Sequence, residues 1–226
     1  MKKLHLCLLM ALVVSIQAFA QESREFSFES WTSLGVSYEN IFTKGQDMHD
    51  MKADSIGLDA TTFTFINRSP VGFFSHIYAP LTTLSNNLPN GNNLNQLLGV
   101  AIGPGFMVEL GNNLALQFGL GFELKCFWIE SDKPKHVDNN LTFGVGADIG
   151  LKYNFTNTWY VGIGSKVSYA FANYRQATSR TDDPDLFRQD FDGWVKNYSL
   201  IGFAPYLSIG YVISGKTSRQ LGRSPR

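Results

Sequence analysis

Charge is scarce in this chain. Asp, Glu, Lys and Arg make up 17% of its 226 residues, against about 25% in an ordinary soluble domain. The 19 acids and 19 bases cancel, so no basic face is available for a nucleic-acid partner. Cysteine is nearly missing. Cys7 and Cys126 are the two present, too few for a disulfide framework. Beyond the first residues, every apolar run is interrupted by Gly, Ser, Asp or Lys. None reaches the roughly 20 residues of a membrane helix. If such a chain enters lipid, it must do so as a closed barrel, because every backbone polar group has to be paired internally.

What is present begins with an export signature. Lys2 and Lys3 give a positive start, Leu6 to Ile16 is apolar except for Ser15, and Ala18-Phe19-Ala20 fits a cleavage site. An apolar core this short reads as a signal peptide rather than a span. The expected division is a signal peptide over 1–20, a barrel over 21–214 and a polar basic tail over 215–226. The tail carries Lys216, Arg219, Arg223 and Arg226. Cys7 leaves with the signal, so one cysteine remains after cleavage.

The dominant pattern is period two, the signature of strands. Leu98, Val100, Ile102, Pro104, Phe106, Val108 and Leu110 alternate with Gly99, Ala101, Gly103, Gly105, Met107 and Glu109. After Gly111-Asn112-Asn113, a turn by composition, the pattern resumes from Leu114 to Cys126, with Gln117, Gly119, Gly121, Glu123 and Lys125 on the other face. It recurs over Leu141–Tyr153, Trp159–Phe171 and Ile201–Ile213. A shorter strand covers Ser33–Glu39. Two more, near Gly57–Ile66 and Val71–Ala79, flank a turn at Asn67–Pro70. The facing of that pair is ambiguous, since Phe73 and Phe74 are consecutive and cannot point the same way.

The expected fold is therefore all-β: an eight-stranded, antiparallel, up-and-down transmembrane β-barrel. Connections alternate in length. Thr43–Ile56, Pro80–Gln96, Ile129–Asn140 and Asn173–Gly193 are long, and the rest are tight. Long loops outside and short turns in the periplasm are the rule for outer-membrane barrels. The apolar faces of the clearest strands carry no charge, and the opposite faces are mostly Gly, Ala, Ser and Thr. Small residues suit the narrow inside of an eight-stranded barrel, so the apolar face is assigned to lipid. Trp31, Tyr153, Trp159 and Tyr211 fall near one set of strand ends, and Phe42, Phe127, Trp128 and Phe171 near the other. They are read as two interfacial aromatic belts. Pro104 and Pro205 sit mid-strand and are read as bulges or kinks.

With its signal peptide, eight strands and alternating connections, the chain resembles the small outer-membrane barrels of the OmpX, OmpA-domain, OmpW and opacity-protein type over about Trp31 to Ser214. The resemblance implies an outer-membrane location. It also implies a surface protein of the adhesion or membrane-structural kind, or alternatively a narrow porin-like channel for small solutes or apolar molecules, as in OmpW. A lipid-modifying enzyme is the weaker third possibility. The chain departs from these barrels at its end, running past Tyr211 into the basic tail rather than stopping on an aromatic.

Little in the sequence points to chemistry, and the expectation is no enzyme, no cofactor and no metal. Ser75 and His76 are adjacent on a strand, so they face opposite ways and form no nucleophile–base pair. His76 is read as a polar lumen or interface residue. The acids Asp47, Asp50 and Asp54 near His49 match no metal spacing, and Asp182-Asp183-Pro184-Asp185 reads as a solvated loop. Asp148 and Lys166 face inward by parity and are expected to form an interior ion pair, with Glu123 and Lys125 nearer the loops. Opposite charges in a narrow lumen read first as a plug, although the inner glycines suggest space for an open bore. The expected partners are outer-membrane lipid and an extracellular ligand or host molecule. The candidate contacts are Arg175, Arg180, Phe187, Arg188 and Phe191, in the longest loop.

Overall fold

The computed structural model describes residues 26–46, 50–67, 69–88, 92–132, 135–180 and 187–217. They form nine strands: β1 (Phe26–Lys44), β2 (Met51–Ile66), β3 (Val71–Asn86), β4 (Asn92–Glu109), β5 (Leu114–Asp132), β6 (Lys135–Asn154), β7 (Trp159–Arg180), β8 (Phe187–Trp194) and β9 (Ser199–Thr217). The sheet runs β6-β5-β4-β3-β2-β1-β9-β7, and pairing of β6 with β7 closes it into an antiparallel barrel of eight strands. The ninth strand, β8, extends the wall upward along the edge of β7 that β9 holds lower down. It pairs with the upper half of β7 from Tyr174↔Trp194 to Arg180↔Phe187, above the point where β9 leaves β7 at Ala170↔Leu200.

The eight barrel strands run 16 to 22 residues, about twice the 9–11 a tilted strand needs to cross a bilayer. The excess lies at the end where long loops are expected from the sequence. Those segments instead continue the ladders. Thr43 pairs with Met51, Asn92 with Ser131, and His136 with Ser179. Outside the lipid both faces can be polar, so the period-two signal fades while the backbone goes on pairing. The tight β2–β3 turn is made by Asn67 at φ 55°, a left-handed conformation that Asn tolerates.

The lipid-facing assignment is seen directly. Leu34, Val36, Leu58, Leu120, Phe122, Ile163, Val167, Leu207 and Ile209 are all exposed on the outside. Tyr153, Trp159 and Tyr211 are exposed at the turn end, with Trp159 and Tyr211 rings 5.2 Å apart. Phe42, Phe171, Tyr174 and Trp194 are exposed toward the other end. Two belt residues need correction. Trp31 and Phe127 are buried inside the barrel, because their parity matches Ser33 and Lys125 rather than Leu34 and Leu124. The Phe73–Phe74 ambiguity is settled as well: Phe73 is exposed and Phe74 is fully buried.

The prolines make gaps, not bulges. Ladder partners stop at Ile102↔Phe122 and resume at Gly105↔Gly119 around Pro104. They stop at Ser37↔Tyr206 and resume at Asn40↔Phe203 around Pro205. Register is unchanged across both, as expected when one N–H is missing from one ladder. The register shifts lie elsewhere, for example at Phe143/Gly144.

Candidate functional site

The bore is filled in layers. At the turn end, Trp31, Phe63, Phe65, Phe74, Ala101, Ala115 and Tyr160 form one buried apolar cluster. Trp31 packs on Tyr160 at 5.1 Å and Phe63 on Phe74 at 5.0 Å. At the loop end, Ile41, Met51, Leu94, Phe127, Tyr198 and Leu200 belong to a second cluster. Between them lies a charged layer in which Glu39, Asp59, His76, Glu123, Lys125, Asp148, Lys152 and Lys166 are all buried.

The glycines that read, from sequence, as open space are the seats of these side chains. A Cβ on Gly119 would lie 2.5 Å from the Phe74 ring, one on Gly210 2.2 Å from Tyr160, and one on Gly164 2.4 Å from Tyr206. Each bulky ring occupies the space that a glycine on another strand leaves free.

Two sets of contacts cross the charged layer. In the upper set, Lys125 of β5 binds Glu39 of β1 and lies 3.6 Å from Glu123. Lys166 of β7 reaches Glu123 at 2.6 Å, and Ser168 donates to the same carboxylate at 3.2 Å. In the lower set, His76 of β3 stands between two carboxylates. Its Nε2 is 2.6 Å from Asp59 Oδ1, and its Nδ1 is 3.2 Å from Asp148 Oδ2. Tyr206 of β9 donates to the other oxygen of Asp148 at 2.9 Å. Lys152 lies below, 5.1 Å from the Tyr206 ring centre and 5.6 Å from that of Tyr160.

All four lumen candidates, Asp148, Lys166, Glu123 and Lys125, are therefore inside the barrel. The expected Asp148–Lys166 pair is not formed. The two are directly opposite in the β6–β7 ladder, one step from the diagonal arrangement the sequence suggests, and each is bonded elsewhere. The long Lys166 chain reaches Glu123, and the short Asp148 is held by His76 and Tyr206. His76 is the residue sequence reasoning undervalued. Its partners come from β2 and β6, distant in the chain, and no local spacing announces them.

Above the bore, Arg175 makes a fork on Asp138, with Nε 2.8 and 2.9 Å from its two oxygens and Nη2 2.8 Å from Oδ2. Its guanidinium lies 5.6 Å from the Phe191 ring centre. The side chains of Arg180, Phe187 and Arg188 lie outside the described residues. Their backbones pair at the tip of the β7–β8 hairpin. His136 sits 3.7 Å from Asp190. Asp54 accepts from Asn40 at 2.5 Å and Ser85 at 2.6 Å. Asp47, His49, Asp182, Asp183 and Asp185 lie outside the described residues. Among the described residues, no group of three His, Cys, Asp or Glu side chains is placed to hold a metal.

A closed antiparallel barrel with an apolar outer wall and a polar, filled interior defines an integral protein of a bacterial outer membrane. The chain belongs to the outer membrane protein beta-barrel domain family, whose model matches residues 6–194. No curated protein matches it in sequence. Among solved structures it is similar to Ail, the attachment invasion locus protein of Yersinia pestis, at 12% identity and TM-score 0.47, over 82% of this chain and 98% of that one. OprG from Pseudomonas aeruginosa is similar at 12% identity and TM-score 0.45, over 85% and 97%. Neisserial surface protein A is similar at 10% identity and TM-score 0.42, over 83% and 96%.

Proposed function

We propose that this protein is a closed barrel that carries an interaction surface above the membrane, rather than a channel or an enzyme. The observation that carries this reading is the lumen: two apolar clusters enclose a charged layer crossed by ion pairs from facing walls. A channel would need those side chains to part. An enzyme built on His76 would need access to it, and it is fully buried. Rigid strands continued past the lipid hold the β7–β8 hairpin outward, and binding residues concentrate on such projections. On this reading Arg180, Phe187, Arg188 and Phe191 meet an extracellular ligand or a host surface. Arg175 fixes the hairpin through Asp138 and takes little direct part. On the same reading the first 20 residues act as the export signal; mass spectrometry of membrane-extracted protein should then find a chain beginning at Gln21, and a retained Met1 would overturn this.

The test is adherence. Cells displaying the unmodified barrel are compared with cells displaying a variant in which residues 179–190 are replaced by a short Gly-containing turn, at matched surface levels. Loss of adherence to a host-cell layer in the variant supports the reading. Equal adherence, or none by either strain, overturns it.

A further inference from the structure

His76 has carboxylate oxygens at both ring nitrogens, 2.6 Å and 3.2 Å away. A neutral imidazole has one N–H and one lone pair. It can donate to Asp148 from Nδ1, but it then brings no positive charge to Asp59, whose Oδ1 lies against Nε2 at ion-pair distance. Only the imidazolium sets a positive charge against both carboxylates. The wider layer agrees. Its buried groups are the four carboxylates of Glu39, Asp59, Glu123 and Asp148 and the three lysines Lys125, Lys152 and Lys166. That leaves one negative charge, which a charged His76 cancels. An uncompensated charge in such a place is strongly unfavourable.

The contacts also tie distant walls together. Asp59 is on β2, His76 on β3, Asp148 on β6 and Tyr206 on β9, so the chain of bonds spans the bore. Other groups around His76 bear on the same proton. From its own strand Phe74 meets it edge-on at 6.3 Å, and Tyr206 does so from β9 at 6.2 Å. Lys166 of β7 repels it, and its own bond to Glu123 of β5 draws that lysine's charge away. Lys152 of β6 attracts both carboxylates. On β4 its ladder partner is the uncharged Ala101.

We propose that His76 is carried as the imidazolium and that this single proton is the latch holding the bore crossed. Removing the proton leaves two carboxylates beside a neutral ring and the layer one charge negative, so the crossing from β2–β3 to β6–β9 loosens, and Phe74 of the turn-end cluster, packed edge-on against His76, loosens with it. The latch closes as pH falls to neutrality and opens as pH rises. It rests on the closed-barrel reading for its effect on permeation, but not for the protonation itself.

Two measurements decide it. Nitrogen NMR of isotope-labelled, lipid-reconstituted protein at neutral pH should show protons on both ring nitrogens of His76. One protonated and one bare nitrogen would overturn the proposal, whatever the barrel conducts. In planar bilayers with potassium chloride, the unmodified protein should gain conductance as pH is raised into the alkaline range. His76→Gln, with one donor and one acceptor, should already show the raised level at neutral pH and respond little to pH. A pH-independent unmodified protein would overturn the latch. So would a variant that conducts like it at neutral pH. If His76→Gln does not insert, the NMR result and the pH response of the unmodified protein still decide. Conductance by the unmodified protein at neutral pH counts against the closed-barrel reading alone, because the nitrogen spectrum is unaffected by it.

Discussion

On β5, Leu116, Phe118, Leu120 and Phe122 look toward lipid while Gln117, Gly119, Gly121 and Glu123 look into the bore. The outer set needs to be apolar and little more, because a fluid solvent fills around any shape. The inner set must fit particular neighbours: Gly119 takes the Phe74 ring and Glu123 takes two lysines. One wall is specified by composition and the other by complementarity. Substitutions that respect composition should therefore be mild outside and severe inside.

The largest effect is expected from Glu123→Gln. It strips Lys166 of its carboxylate and leaves a buried cation unpaired, at about 3–5 kcal/mol. Heat-modifiable gel migration should shift to markedly lower temperature, with Glu123→Gln/Lys166→Met recovering much of the loss. An additive double variant would show that the pair is not a unit. Phe74→Ala should follow closely. It empties the socket between Gly119 and Gly105, both of which crowd Phe74, at about 3–5 kcal/mol for a buried Phe.

Legibility from sequence divides along the same two walls. Six strands of the ring were visible in the alternation, because lipid demands an unbroken apolar face; β2 and β3 showed only through the turn between them, with their facing open. The upper strands were invisible for the opposite reason: above the lipid their outer face no longer has to be apolar, although the inner face still packs at the loop end. Trp31 and Phe127 were assignable by parity to the bore, but an aromatic at a strand end also satisfies the belt rule, and the two cues conflict. The inner charges were legible as inward. Their partners were not, because Lys166–Glu123 and His76–Asp148 join strands that are not neighbours in the sheet. The small-residue face suggested space, since a sequence shows that Gly119 has no side chain but not that Phe74 arrives from β3 to fill its place.

Outside, Leu120→Arg puts a charge on the lipid face at about 2–4 kcal/mol near the midplane, whereas Leu120→Phe should be near neutral in refolding yield. A comparable loss for both would mean that this face does not meet lipid. The smallest informative change is Gly119→Ala on the inner wall. One methyl against the Phe74 ring, at 2.5 Å, should cost about 1–3 kcal/mol as overpacking. It should be partly relieved by Phe74→Leu, and no relief would place the strain elsewhere.

The most direct test of a filled, closed bore is single-channel recording of the unmodified, lipid-reconstituted protein at neutral pH, beside Phe74→Ala. The packing of Trp31, Phe63, Phe74 and Tyr160 at the turn end predicts no sustained current from the unmodified barrel and a measurable one from the variant. A steady ohmic conductance in the unmodified protein, unchanged by Phe74→Ala, would contradict it.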